Sequence, residues 1–142
     1  MSILHAGLVA LRRPGGWAGA LVMGPSGVGK SDLMLRCLDH GLRLVADDRT
    51  LVWRSADRLW GRAPDAIGGL FEARGLGVLA VPSLAFAEVR LVVACAPEGG
   101  MIERMPPEDD VETVEGASLP RLRLRPCEAS APAKLRLALA RP

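Results

Sequence analysis

The chain has 142 residues, a formal net charge of +2, 49% apolar residues and 24% charged ones. That length fits one compact domain, expected to span residues 1–142, and the composition can bury a core, which excludes global disorder. A small net charge from scattered basic residues speaks against an obligate nucleic-acid or membrane-surface partner, and no apolar run approaches the ~20 residues of a membrane-spanning helix.

Residues 3–11 and 18–23 are apolar runs of strand length joined through Arg12-Arg13-Pro14-Gly15-Gly16, whose Pro-Gly-Gly supplies turn chemistry, so a hairpin is expected. A glycine-rich loop follows Met23. Residues 31–40 then carry Leu33, Met34, Cys37 and Leu38 at helical spacing, and Gly41 supplies a stop. Residues 42–46 read as a short strand ending in Asp47-Asp48, residues 50–53 and 58–61 as antiparallel strands, and residues 62–69 as loop. Residues 76–81 and 88–95 are further strand-like runs. The polar, acidic, Pro-containing stretch 97–115 reads as exposed loop, residues 119–124 alternate Leu with Arg over a strand period, and residues 131–140 are helix-competent. This order predicts an α/β fold with a mixed sheet and flanking helices.

Cys37, Cys95 and Cys127 are far apart and form no C-x-x-C pair, so neither a disulfide framework nor a zinc site is indicated. The first thirty residues lack the pattern of a secretory signal, because Pro14, Gly15 and Gly16 interrupt the apolar stretch, and a cytoplasmic location is expected.

Gly24-Pro25-Ser26-Gly27-Val28-Gly29-Lys30-Ser31 fits G-x-x-x-x-G-K-[ST] in full and lies between an apolar strand and an amphipathic helix, the context that the motif requires. Glycines let backbone N–H groups converge on phosphate oxygens, and the helix points its positive end at them. Nucleotide phosphate is the expected ligand, with Lys30 neutralising charge on the outer phosphates and the Ser31 hydroxyl ligating Mg²⁺.

Asp47 and Asp48 follow a strand, so their side chains leave on opposite sides and cannot do the same job. One of them could face the phosphates, since ligands of open α/β sheets sit beyond the carboxyl ends of strands. The plainer alternative is that both solvate a turn before Arg49. Glu72-Ala73-Arg74-Gly75-Leu76-Gly77 places opposite charges and two glycines before an apolar run. Glu72 could complete an oxygen shell around Mg²⁺, or it could form a surface ion pair.

Taken together, His5, the Gly24-to-Ser31 loop, Arg43-Leu44-Val45-Ala46-Asp47-Asp48 and Glu72-Ala73-Arg74-Gly75-Leu76-Gly77 resemble, in order and spacing, the catalytic domain of HPr kinase/phosphorylase. The resemblance implies a P-loop fold of the PEP carboxykinase-like kind and ATP- and Mg²⁺-dependent phosphorylation of a serine on an HPr-type phosphocarrier protein, with phosphorolysis as the reverse reaction. It implies Asp48 as general base, supported by Asp47, with Ser31 and Glu72 as Mg²⁺ ligands and His5 and Arg104 at accessory catalytic positions. It also implies a homo-oligomer, hexameric in the long members, although this chain resembles the short, single-domain variety. Where the family carries a Pro-Val-Arg-Pro-Gly-Arg-Asn-like loop tied to dephosphorylation, this chain departs and reads Leu124-Arg125-Pro126-Cys127-Glu128-Ala129-Ser130.

Three other readings fit less of the sequence. A small-molecule kinase on the same loop calls for an Arg-rich lid segment. A nucleotide-sensing module calls for loss of a catalytic group, whereas Lys30, Asp48 and Glu72 are all present. Nucleic-acid binding through Arg121, Arg123, Arg125 and Arg136 needs a free basic face, and alternating Arg on a strand more often makes one solvated face.

Overall fold

The computed structural model describes residues 1–97 and 99–141; Glu98, inside the expected 97–115 loop, and Pro142 lie outside the described residues. In chain order β1 (Ser2–Leu4), β2 (Gly7–Arg13) and β3 (Gly16–Met23) lead through the glycine loop into α1 (Lys30–Asp39). Then come β4 (Arg43–Ala46), β5 (Thr50–Ser55), β6 (Arg58–Arg62), a 3₁₀ turn over Asp65–Ile67, β7 (Leu70–Ala73), β8 (Gly77–Ala80) and β9 (Ala87–Cys95). The chain finishes with β10 (Val111–Val114), β11 (Ala117–Leu124) and α2 (Ala131–Ala140). The main sheet runs β1-β5-β6-β9-β3-β2-β4, with β11 joined to β9 and β10 to β11, while β7 and β8 form a separate two-stranded hairpin.

The sheet is mixed, as the element order predicts. β9 is its hub: β3 pairs with it in parallel along one edge, and on the other edge β6 pairs antiparallel at Ala87 and Glu88 before β11 takes over in parallel from Val92 to Cys95. β2 is antiparallel to both β3 and β4.

β2 and β3 are buried on both faces, which explains their nearly unbroken apolar runs. Alternation along each strand divides those residues between two cores. Val9, Leu11, Ala20 and Val22 face the helices and pack with Leu33, Met34 and Cys37 of α1 and Leu135 and Leu139 of α2. Leu8, Ala10 and Leu21 take the opposite face, where Val52, Leu59 and Val114 of outer strands meet them. No helix covers that second face among the described residues. The sheet curls round and closes the core with its own strands.

Three departures from the expected elements have local causes. The run 3–11 is broken at His5 and Ala6, since β1 pairs with β5 whereas β2 pairs with β3 and β4. β10 lies inside the stretch expected to be loop; of its residues only Val114 is buried, so its apolar signal is weak. The Glu72-to-Gly77 segment is the turn of a hairpin whose first strand, β7, buries only Phe71 and Ala73. No helix among the described residues is long and apolar enough to cross a membrane.

The arginines of β11 are partnered. Asp110 accepts from Arg121 Nε at 2.8 Å and from Arg123 Nε at 3.0 Å, and Arg125 Nη1 reaches Glu128 Oε1 at 3.2 Å. The hydrogen bond from Arg121, followed by that from Arg123, holds the Asp110 carboxyl below its ordinary value.

α1 ends where Gly41 turns left-handed at φ +85°. Leu42 N–H donates to Cys37 O at 3.1 Å and Gly41 N–H to Leu38 O at 3.4 Å, the paired bonds of a Schellman stop, with Leu42 and Cys37 both in the core. A Cβ on Gly41 would meet nothing nearer than Arg136 Nη1 at 3.9 Å, so a substitution there costs backbone strain alone. Gly41→Ala is therefore expected to lower stability by about 1–2 kcal/mol in urea titration. Asp110→Asn should lower stability near neutral pH. Because the folded-state value of this carboxyl is depressed, its stabilisation is present above the unfolded value and is lost as pH falls through the folded one. The unfolding curves of wild type and variant should accordingly converge in acid.

Candidate functional site

β3 delivers the chain into the glycine loop at Met23, and α1 begins at Lys30 with Gly29 as its left-handed cap, φ +108°. Gly24 sits at φ +152°, and a Cβ there would come within 2.9 Å of Cys95 O, so the loop starts in a place that only glycine fits. The Lys30 ammonium folds over the loop and donates to Gly24 O at 2.6 Å and Pro25 O at 3.1 Å. Two of its three donors brace the loop, leaving the third for a ligand. The positive end of α1 lies on the same side.

β4 presents the acidic pair. Asp47 turns inward and is buried. Its Oδ2 accepts from Glu72 N–H at 3.0 Å, while Oδ1 is buried with no hydrogen-bond partner among the described residues. Burial is the main reason that the Asp47 carboxyl is pushed up; the Glu72 N–H opposes that shift, and the neighbouring Asp48 and Glu72 charges add to it.

Asp48 turns outward at φ +65°, while Arg49 N–H donates to Asp47 O at 2.6 Å across it. This is a tight, left-handed turn that Asp tolerates better than most residues. The two carboxylates diverge as the sequence predicts, but through this turn just past β4 and not through strand alternation. His5 Nε2 lies 2.8 Å from Asp48 Oδ1. His5 reaches it because β2 pairs with β4, setting the break before β2 beside the end of β4. The buried Thr50 hydroxyl donates to Ala6 O at 2.7 Å and fixes that break.

The β7–β8 hairpin forms the facing wall. A single cleft of about 500 Å³ is lined by His5, Asp48, Lys30, Ser31, Glu72 and Arg74, together with Ser26, Gly27, Gly29 and Asp32. Thus His5, the loop, Asp48 and Glu72, separated in sequence by up to 67 positions, meet in one place. Glu72 and Arg74 do not pair with each other; both face the cleft.

Arg104 is not brought there: it is exposed in the segment between β9 and β10, and it does not line the cleft. Arg74, quoted in the sequence only as part of the Glu72-to-Gly77 segment, stands on the hairpin turn and lines the cleft. One tie behind the site went unread. Arg36 donates to Asp32 Oδ2 at 3.0 Å, to Glu128 O at 3.0 Å and to Pro126 O, tying α1 to the β11–α2 connection. Nothing in the local sequence marks that tie.

The donors around the cleft are hard oxygens, the Ser31 hydroxyl and the Glu72 carboxylate among them. The described residues hold no cluster of three His, Cys, Asp or Glu suited to a metal. Such a set fits Mg²⁺, which keeps several waters and binds through one or two protein groups plus phosphate oxygens.

A family model described as HPr Serine kinase C-terminal domain matches residues 3–125. The HPr kinase/phosphorylase of Streptococcus equi subsp. zooepidemicus is 34% identical over 116 residues, covering 75% of this chain and 37% of the relative. That of Streptococcus salivarius is 33% identical over 116 residues, covering 75% of this chain and 38% of the relative. The chain thus spans little more than a third of the length of these curated relatives. The structure of the Hpr(Ser) kinase/phosphatase from Coxiella burnetii superposes with a TM-score of 0.81 at 23% identity, covering 96% of this chain and 93% of that one, which shows a shared fold.

Burial desolvates the Asp47 carboxyl, which also accepts a backbone hydrogen bond. Asp47→Asn removes the charge and keeps the acceptor, whereas Asp47→Ala leaves the Glu72 N–H without its partner. The Asn variant should be more stable than the Ala variant by about 1–3 kcal/mol in chemical denaturation. Equal stabilities would show that this bond contributes nothing.

Proposed function

The chain belongs to the HPr serine kinase C-terminal domain family, and from that membership we propose that it transfers the γ-phosphoryl group of ATP to a serine hydroxyl of an HPr-type phosphocarrier protein. The observation that carries this reading is the 2.8 Å pair of His5 and Asp48 lining the same cleft as Lys30 and Ser31. A base and a phosphate cradle in one cleft are what a phosphoryl transfer needs.

In this reading the backbone N–H groups of the Gly24-to-Ser31 loop and the ammonium of Lys30 hold the outer phosphates. Asp48 accepts the proton of the target serine as its oxygen bonds to the γ-phosphorus and the bond to the ADP oxygen breaks. His5 orients the Asp48 carboxylate. Arg74, on the facing wall, offsets charge on the transferring group. Ser31 and Glu72 are the residues that would hold Mg²⁺, which when bound supplies further charge neutralisation at the phosphates. Little covalent chemistry falls to the protein, so positioning and electrostatics carry the rate.

The reverse, phosphorolytic reaction would run through the same groups. Inorganic phosphate in the outer phosphate position would attack phosphoserine, Asp48 would protonate the departing serine oxygen, and pyrophosphate would leave. Nucleic-acid binding gains no support, because Arg121, Arg123 and Arg125 are already tied to carboxylates.

The test is incubation with γ-labelled ATP, Mg²⁺ and an HPr-type carrier. Label should appear on a carrier serine with the wild-type chain. The initial rate should fall by about 10²–10⁴-fold in Asp48→Asn, as for loss of a general base, and transfer should fail in Lys30→Ala. Asn is the informative replacement because it tolerates the left-handed turn at position 48. Bound ATP with no labelled carrier would defeat the kinase reading. Added phosphate should release pyrophosphate from the labelled carrier.

A further inference from the structure

A second cleft, about 520 Å³, opens on the other flank of the glycine loop, lined by Pro25, Val28, Pro97, Arg125, Cys127 and Glu128 among others. It shares Ser26 and Gly27 with the catalytic cleft, so the two meet at the tip of the loop. Its volume falls within the ~300–1,000 Å³ usual for small-ligand sites.

Its position follows from topology. β3, β9 and β11 are the parallel members of the sheet, and their carboxyl ends run into the glycine loop, the Ala96–Pro97 segment and the Arg125-to-Glu128 segment. Ligands of α/β sheets gather beyond such ends. The phosphate cradle takes up only the first of the three.

The chemistry of the walls differs from that of the catalytic cleft. Pro25, Val28, Ala96, Pro97 and Pro126 are apolar. Arg125, the one cation among the described lining residues, is neutralised by Glu128 at 3.2 Å, and Glu128 is itself held by Lys134 at 3.0 Å. Arg125 Nη2 also donates to Gly100 O at 2.6 Å, so its guanidinium is fixed through both terminal nitrogens. A fixed, charge-compensated guanidinium plane among apolar walls suits an uncharged planar ring, which can stack on it, and not a phosphate.

We propose that this second cleft receives the nucleobase and ribose of the nucleotide whose phosphates lie on the glycine loop, with Arg125 as the stacking surface and Val28 and Pro126 as apolar walls. The assignment rests on the nucleotide reading above and specifies which residues determine its donor preference.

Cys127 reports on it directly. It is the exposed cysteine of the three. Burial pushes the Cys37 thiol up to about 12 and the Cys95 thiol up to about 11, so both stay protonated and unreactive. A maleimide should therefore label Cys127 selectively. With Mg²⁺ present, saturating ATP should slow that labelling by at least about tenfold, as expected for a ligand mostly buried in its cleft, while saturating tripolyphosphate should leave it unchanged. In Cys127→Trp, ATP affinity measured calorimetrically should fall to that of tripolyphosphate, whose own affinity should not change. Equal protection by the two ligands, or unaltered ATP binding in Cys127→Trp, would overturn the assignment. ATP that binds in a Lys30-dependent way yet leaves Cys127 reactive would sink the cleft while sparing the nucleotide reading; ATP that fails to bind would sink both.

Discussion

The buried carboxyl of Asp47 helps hold the two walls of the His5–Asp48 cleft together. β4 belongs to the main sheet and the β7–β8 hairpin does not; just past the hairpin Ser83 bridges Leu44 of β4 and Leu84 N–H donates to Leu44 O at 2.9 Å, but within the hairpin itself no ladder bond fixes its distance from the sheet. The bond from Glu72 N–H to Asp47 Oδ2 provides that fixed distance, and Phe71 and Ala73 anchor the same strand in the core beneath. Because Glu72 is held by its own backbone, its side chain remains available to the cleft. A buried carboxyl with one oxygen left unpartnered is a costly clamp.

What could be read from the sequence was local. The glycine loop is a contiguous motif with a strand before it and a helix after it, so residues alone locate it. The expectation that Asp47 and Asp48 part ways holds, although a left-handed turn past the end of β4 separates them where a strand period was expected to. The last helix was legible to its ends because Ala and Leu dominate it. By contrast β7 is only four residues long and follows directly on the Gly68-Gly69 turn, and β10 is four residues inside an acidic, Pro-containing stretch, so each is masked by the loop chemistry around it.

The site's partnerships were hidden for a different reason. His5 and Asp48 meet because β2 pairs with β4, a relation between segments that no window along the chain contains. The ties from Arg36 to the carbonyls of Pro126 and Glu128 are of the same kind. Arg104 shows the converse, since a position expected from resemblance in order and spacing is exposed and does not line the cleft. Its neighbourhood lacks the strand pairing that carries His5 inward.

The hub role of β9 also dictates how the chain must fold. The β2–β3 hairpin joins neighbours through a two-residue turn, and such hairpins close in about 1–10 μs. β9 has no such short route: Ala18 must find Glu88 and Val92 must find Arg121, both in parallel and both across long intervening chain. Pairings of that kind incur loop-closure entropy before they return any burial, and topologies rich in them fold on the ms–s scale. Until β9 docks, the apolar faces of β2 and β3 have no partner on one edge, so during synthesis the amino-terminal half is exposed to self-association until that strand has left the ribosome.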